Sequence, residues 1–162
     1  MKKLRTAILG CGGFAHSHAK NLVALPEEIE LVAFCDILAS SAAEFSKQYS
    51  GGQAAVFTDH HDLFVKSHLN LAVICLPPYA HSDEVEVAAQ HGDHLLMEKP
   101  IALSSEHAWR MVTAVEKAEI KTLVGFMNRF GAAVERLKAL LTSGESGPVG
   151  LMRARYFCNA LP

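Results

Sequence analysis

The stretch "AILGCGGFA", residues 7–15, decides the fold. An apolar run ends in a glycine turn, and a helical pattern follows at once. Gly10, Gly12 and Ala15 stand at the G-x-G-x-x-G/A spacing. In that arrangement the first glycine permits a tight turn, the second lets backbone approach a pyrophosphate, and a small third residue lets helix and strand pack closely. Backbone N–H groups at the helix start, carrying roughly half a positive charge, then face a diphosphate. Gly13 adds another small residue to the turn, and Phe14 contributes mainly backbone.

The second apolar run ends in Asp36, about twenty residues further on, where a dinucleotide fingerprint places an acid for the ribose hydroxyls. A carboxylate there repels a 2′-phosphate. No Arg or Lys lies between Asp36 and Lys47 to receive one, so NAD is expected rather than NADP. An ordinary tight turn followed by a solvated aspartate would explain either signal alone, but less readily both in register.

Outward from this turn, short apolar runs alternate with helical patterns, which points to a doubly wound α/β fold: a parallel sheet with helices on both faces. The strand candidates are "LRTAILG", "IELVAFCD", "AAVFT", "LAVICLP", "HLLMEK" and "KTLVGF". They are continuously hydrophobic, as strands covered on both faces should be. Helices are expected over 13–24, 39–49, 60–67, 80–91, 104–119 and 131–143. Ser104 or Ser105 caps the fifth with Glu106 in its first turn, and Gly92 and Gly144 supply stops. The stripe Val134, Leu137, Leu140, Leu141 reads as core packing. Residues 1–145 therefore form a dinucleotide-binding domain. Residues 146–162 read as a linker and the strand "LMRARYFC", opening a substrate-binding α+β domain that is missing from this chain. Such an unpaired apolar edge predicts self-association and a homo-oligomer.

Composition narrows the partners. The 162 residues are 50% hydrophobic and 20% charged, enough for an ordinary globular core. Fifteen Lys and Arg against seventeen Asp and Glu leave a net charge of −2, with no basic stripe for nucleic acid. Cys11, Cys35, Cys75 and Cys158 form no CxxC pair, which suits a reducing, cytoplasmic setting. The start "MKKLRTAILGC" imitates a lipoprotein signal, but the apolar run between Arg5 and Gly10 is shorter than the ~7 to 15 residues such a signal needs. No segment reaches membrane-spanning length.

A second cluster of chemistry lies in "HLLMEKPIALSSE", residues 94–106. In open parallel sheets, ligands sit outside the carboxyl ends of the strands. Asp36, Pro77 and Lys99 all fall just past such ends. Glu98 and Lys99, consecutive in extended chain, point to opposite sides and serve different neighbours. An ordinary lysine is a poor proton acceptor at neutral pH, but burial and a nearby cationic ring both favour the neutral amine. Hydride transfer from an alcohol needs such an acceptor at the hydroxyl. A surface lysine with its charge in water is the bland alternative.

These segments, with "ILGCGGFAHSHAKNL", "VICLPPYAHSDEVEVAAQHGDHLLMEKP" and "VGFMNRFGAAVERLKALLTSGESGPVG", resemble the Gfo/Idh/MocA oxidoreductases in order and spacing over most of the chain. The resemblance implies that Lys99 is the catalytic lysine, that Glu98 faces the nicotinamide side of the cofactor, that Pro100 follows a cis bond, and that His81 is a cofactor-side residue. It implies an NAD-dependent dehydrogenase of sugars or polyols, with an NAD-dependent glycosidase of the same family as the rival enzyme. A non-catalytic NAD-binding or redox-sensing module is the rival of another class, and adenosyl-dependent methyl transfer a more distant one. Pro77–Pro78 replaces the family's Pro-Asn, Asn128–Arg129 its two arginines, and Gly131–Ala132 its Asp-Pro.

Nine histidines invite a metal reading. "HSH" at 16–18, "HH" at 60–61 and "HGDH" at 91–94 have no ligand-spaced Cys or carboxylate set beside them, so no metal site is expected. His81, in "PPYAHSDEV", reads from its position alone as a polar group at a helix start.

Overall fold

The structure, a computed structural model, describes residues 2–155. The chain divides into two compact units, residues 1–125 and 126–162. This boundary falls inside the segment that the sequence assigns to the first domain.

In the first unit, β1 (Leu4–Leu9), α1 (Ala15–Val23), β2 (Ile29–Cys35), α2 (Ala39–Ser50), β3 (Ala55–Phe57), α3 (His60–Ser67), β4 (Leu71–Ile74), α4 (Glu84–His91), β5 (His94–Met97), α5 (Ser105–Ala118) and β6 (Thr122–Val124) follow in order. The strands form one sheet in the order β3-β2-β1-β4-β5-β6, with every pairing parallel. This is the doubly wound dinucleotide-binding order, and its topological switch point lies between β1 and β4.

Strand alternation sends successive residues to opposite faces. Ala7 and Leu9 join Ala33, Cys35, Ala72 and Ile74 under α3, α4 and α5, which contribute Leu63, Phe64, Val85, Ala88 and Met111. Ile8, Phe34 and Val73 point the other way, under α1 and α2, where Ala15, Ala19, Leu22, Ala42 and Phe45 meet them. The alanines let α1 lie close to the sheet, and Phe34 and Phe45 meet edge to face with centroids 5.8 Å apart. Full burial of each large side chain contributes about 1.5–3 kcal/mol.

The expected punctuation is present. Ser104 caps α5 by accepting the His107 N–H at 3.2 Å; Asp59, not foreseen as a cap, accepts the Asp62 N–H at 3.1 Å at the start of α3. Gly92 and Gly144 end their helices at φ 76° and 77°, as the left-handed conformation at a helix end requires.

Three expectations need correction. The helix foreseen from residue 80 begins at Glu84; a 3-10 turn, Pro78–Ala80, precedes it and His81 is extended. The Glu84 carboxylate accepts the Ser82 N–H at 2.8 Å, which holds residues 81–83 outside the helix. Within the second unit, a 3-10 turn (Met127–Phe130) leads into α6 (Ala132–Ser143), as expected, but Val134 and Leu137 are nearly half exposed. The buried clusters of the first unit draw on residues between Ala7 and Ile120. Finally, residues 151–155 of the expected last strand carry no strand pairing; its remainder, with Cys158, lies outside the described residues.

At the amino end of β5, Asp93 is 2% exposed, and burial pushes its carboxyl up to about 6 against the opposing charges of His91 and His94. One of its oxygens has no partner. The folded state thus keeps a proton that the unfolded chain releases from about pH 4, so this group's contribution falls as pH rises from about 4 to 6. Asp93→Asn should therefore raise the melting temperature by about 2–5 °C at pH 7.5, with the gain vanishing near pH 4. Thermal melts across that range check it; a gain independent of pH would refute the assignment.

Candidate functional site

The carboxyl ends of β1, β2, β4 and β5 bring the glycine turn, Asp36, Pro77, Glu98 and Lys99 to one edge of the sheet. Gly10 ends β1 between its two neighbours. Its N–H donates to the Cys35 carbonyl at 2.8 Å, φ is +89°, and a Cβ would lie 2.6 Å from the Cys75 carbonyl oxygen. Only glycine fits there. Gly12 and Gly13 differ, because a Cβ on either meets nothing within 4 Å. The first glycine makes the turn, and the next two leave open space in front of the N-terminus of α1. A diphosphate needs such a cradle, with backbone N–H groups uncovered. Ala15 is fully buried, as close helix packing demands, whereas Phe14 at the N-cap is 46% exposed.

Asp36 closes one side of the cradle. One carboxylate oxygen accepts the Cys11 N–H at 2.8 Å and the other the Leu38 N–H at 2.9 Å. A carboxylate offers about four acceptor positions, so both oxygens keep capacity for a vicinal diol. Ile37 beside it is 88% exposed and presents an apolar side chain, with no cation for a 2′-phosphate.

Glu98 and Lys99 diverge as the extended backbone requires. Glu98 is buried, and its Oε1 lies 2.8 Å from His18 Nε2 on α1. Its Oε2 accepts the Lys99 N–H at 3.3 Å. Lys99 is exposed, and its ammonium has no ion-pair partner within 4.0 Å among the described residues. The Lys99–Pro100 bond is cis. Phe14 meets the His18 ring edge-on, with centroids 5.7 Å apart. Phe14 therefore supplies a side-chain contact as well as backbone.

Two residues of this assembly escape a reading of the sequence. His18 stands within "HSH", a pattern read there for metal ligands, and its partner is 80 residues away. Gly125, at the end of β6, leaves room for Glu98: a Cβ there would lie 2.7 Å from the carboxylate. No local spacing signals either.

Pro77 lies at the β4 exit as expected, exposed and starting the 3-10 turn. His81 does not face the cleft. Its side chain is fully buried against Glu84, with which Nδ1 pairs, and Nε2 has no partner. Burial opposes ionisation of Glu84, but the hydrogen bonds from His81 and the Ser82 backbone prevail and hold its carboxyl below the usual range.

The thiols at this edge are passive. Burial, reinforced by nearby carboxylates, pushes Cys11, Cys35 and Cys75 up to about 12, so they pack as neutral side chains.

Compared with known proteins, residues 4–126 match the oxidoreductase family with the NAD-binding Rossmann fold, Gfo/Idh/MocA. The chain belongs to that family and carries its NAD-binding domain. More particularly, it is 28% identical over 155 residues to the inositol 2-dehydrogenase of Salmonella typhimurium, covering 95% of this chain and 46% of that protein. It is 30% identical over 145 residues to the scyllo-inositol 2-dehydrogenase (NAD+) of Bacillus subtilis, covering 90% and 42%. The scyllo-inositol dehydrogenase of Lactobacillus casei, solved with NAD(H) and scyllo-inositol, superposes with a TM-score of 0.82 at 26% identity, covering 90% and 43%. The chain spans somewhat less than half the length of these relatives.

The two kinds of glycine make a contrast that can be measured. Gly10→Ala should lose about 2 kcal/mol or more of stability, because a backbone carbonyl blocks the new methyl group. Gly12→Ala should melt within about 1 °C of the parent yet bind NADH at least tenfold more weakly. Paired melting curves and NADH fluorescence titrations check both; equal NADH affinity in the folded Gly12 variant would remove this turn from the site.

Proposed function

We propose that this chain is the cofactor-binding part of an NAD-dependent dehydrogenase that oxidises a CH–OH group of a sugar or polyol, with Lys99 as the proton acceptor. One observation carries the reading: the exposed Lys99 ammonium stands one residue beyond a buried, doubly anchored Glu98, on the same sheet edge as the open glycine cradle. The relatives named as inositol dehydrogenases support the substrate class.

In this reading Gly12, Gly13 and the start of α1 hold the diphosphate, and Asp36 holds the adenosine ribose through its free acceptor positions. Bound NAD supplies a hydride acceptor. Glu98, tied to His18, fixes the strand exit, and Lys99 takes the substrate hydroxyl proton as hydride departs. Asp36 and exposed Ile37 favour NAD over NADP by withholding a cation from the 2′ position. Three free thiols, Cys11 and Cys35 buried and Cys75 partly so, support a reducing cytoplasmic setting.

In the full-length protein, Lys99→Ala should lower kcat by about 10²–10⁴-fold for inositol or sugar oxidation, while NADH affinity stays within about twofold. Absorbance assays over a polyol panel, with NADH titrations alongside, measure both. An active Lys99→Ala variant would refute the role. On the chain itself, NADH should bind at submillimolar concentration and at least tenfold more tightly than NADPH, and Asp36→Ala should narrow that gap. Equal affinity of the parent for both cofactors would overturn the Asp36 assignment.

A further inference from the structure

A second constellation lies where α3 and α4 begin, built from His60, His61 and Asp83. One donor atom from each lies within 4.8 Å of the others. His60 and His61 open α3, and their rings lie nearly face to face, with centroids 4.2 Å apart at 32°. Asp59 takes over the capping of that helix, so both imidazoles are free to project sideways.

Asp83 stands at the N-cap of α4, where a carboxylate ordinarily accepts an N–H of its own helix. It makes no such side-chain cap. Its Oδ1 is instead 2.8 Å from His60 Nε2, and its Oδ2 is 3.6 Å from His61 Nε2. The second separation is too long for a hydrogen bond, so the His61 nitrogen and a carboxylate lone pair face each other across a gap. Zinc bonds of about 2.0–2.2 Å put the donors of a tetrahedral site about 3.3–3.6 Å apart. The three donors, all within 4.8 Å of one another, lie within about 1.5 Å of that spacing.

We propose that His60, His61 and Asp83 form a site for a divalent transition-metal ion of the zinc type, held by two imidazoles, one carboxylate and water. Imidazole nitrogens suit zinc, cobalt or nickel and disfavour magnesium and calcium. His60 is 19% exposed at its side chain, whereas His61 and Asp83 are about half exposed, so an ion and its waters can enter. Two of the ligands stand in the first turn of α3 and the third at the end of the loop joining β4 to α4. A bound ion therefore clamps the two helix starts together, and this role does not depend on the dehydrogenase reading. The carboxylate comes from 23 residues beyond His60, a spacing that no short metal motif contains.

The test is calorimetric titration of the metal-stripped chain with zinc chloride, with magnesium chloride as control, plus visible absorption of the cobalt complex. The expected result is one equivalent of zinc at micromolar affinity, no magnesium binding, and a tetrahedral cobalt spectrum without a thiolate charge-transfer band. His61→Ala and Asp83→Asn should each weaken zinc roughly tenfold or more. Zinc should raise the melting temperature of the parent and not of the His61 variant. Since the His61 side chain is half exposed and makes no hydrogen bond, His61→Ala should fold and melt as the metal-free parent does. Zinc affinity in the millimolar range, equal affinity in the folded His61 variant, or a thiolate band in the cobalt spectrum would each overturn the proposal.

Discussion

Gly10 is flanked by the backbone carbonyls of Cys35 and Cys75, and the second leaves no room for a Cβ on it. The first accepts its N–H, and the oxygen of the second would lie 2.6 Å from a Cβ. This constraint comes from the sheet order, since β1 is the strand flanked by β2 on one side and β4 on the other. The chain must leave β1 through a gap the width of a backbone, at positive φ, and α1 starts directly beyond. That exit places Gly12 and Gly13 beside the switch point, where a Cβ on either would meet only open space. The cradle thus follows from parallel pairing on both sides of one strand.

The charges at this edge are arranged by the same backbone. Asp36 has both oxygens engaged by N–H groups from its own turn and from the glycine turn, so its orientation is set before any ligand arrives. Glu98 is held similarly, between His18 and the Lys99 N–H. A buried carboxylate is costly unless its lone pairs are occupied, and here one imidazole and one amide occupy them. The nearby thiols stay neutral because burial and these carboxylates both oppose ionisation. The acids are consequently the fixed negative groups of the cleft.

Features legible in the sequence are those with local periods. Continuous apolar runs mark strands, the G-x-G-x-x-A spacing marks the turn, and Ser104 marks a helix start; each depends on neighbours a few residues away. Features that were not legible depend on partners brought together by folding. His18 reaches Glu98 across 80 residues and His60 reaches Asp83 across 23, while the need for glycine at 125 arises only once Glu98 turns inward. His81 shows the opposite failure. The family resemblance implies a cofactor-side residue, but Glu84, three residues along, pairs with its ring and holds it in the interior. Val134 and Leu137 have the spacing of a buried stripe, but spacing alone does not supply a surface to pack on.

The divergence of Glu98 and Lys99 separates anchoring from chemistry. Glu98 ties the end of β5 to α1, and its second oxygen holds the Lys99 amide, so the lysine backbone cannot swing. Its side chain is exposed. In the proposed reaction the strand itself does not desolvate the ammonium, and the bound ring and substrate contribute to doing so. Proton acceptance is then coupled to occupancy of the cleft, because only the assembled complex brings both a cationic ring and an excluded solvent to the amine. An arrangement that buried Lys99 permanently would forfeit that coupling and leave a costly unpaired charge within the fold.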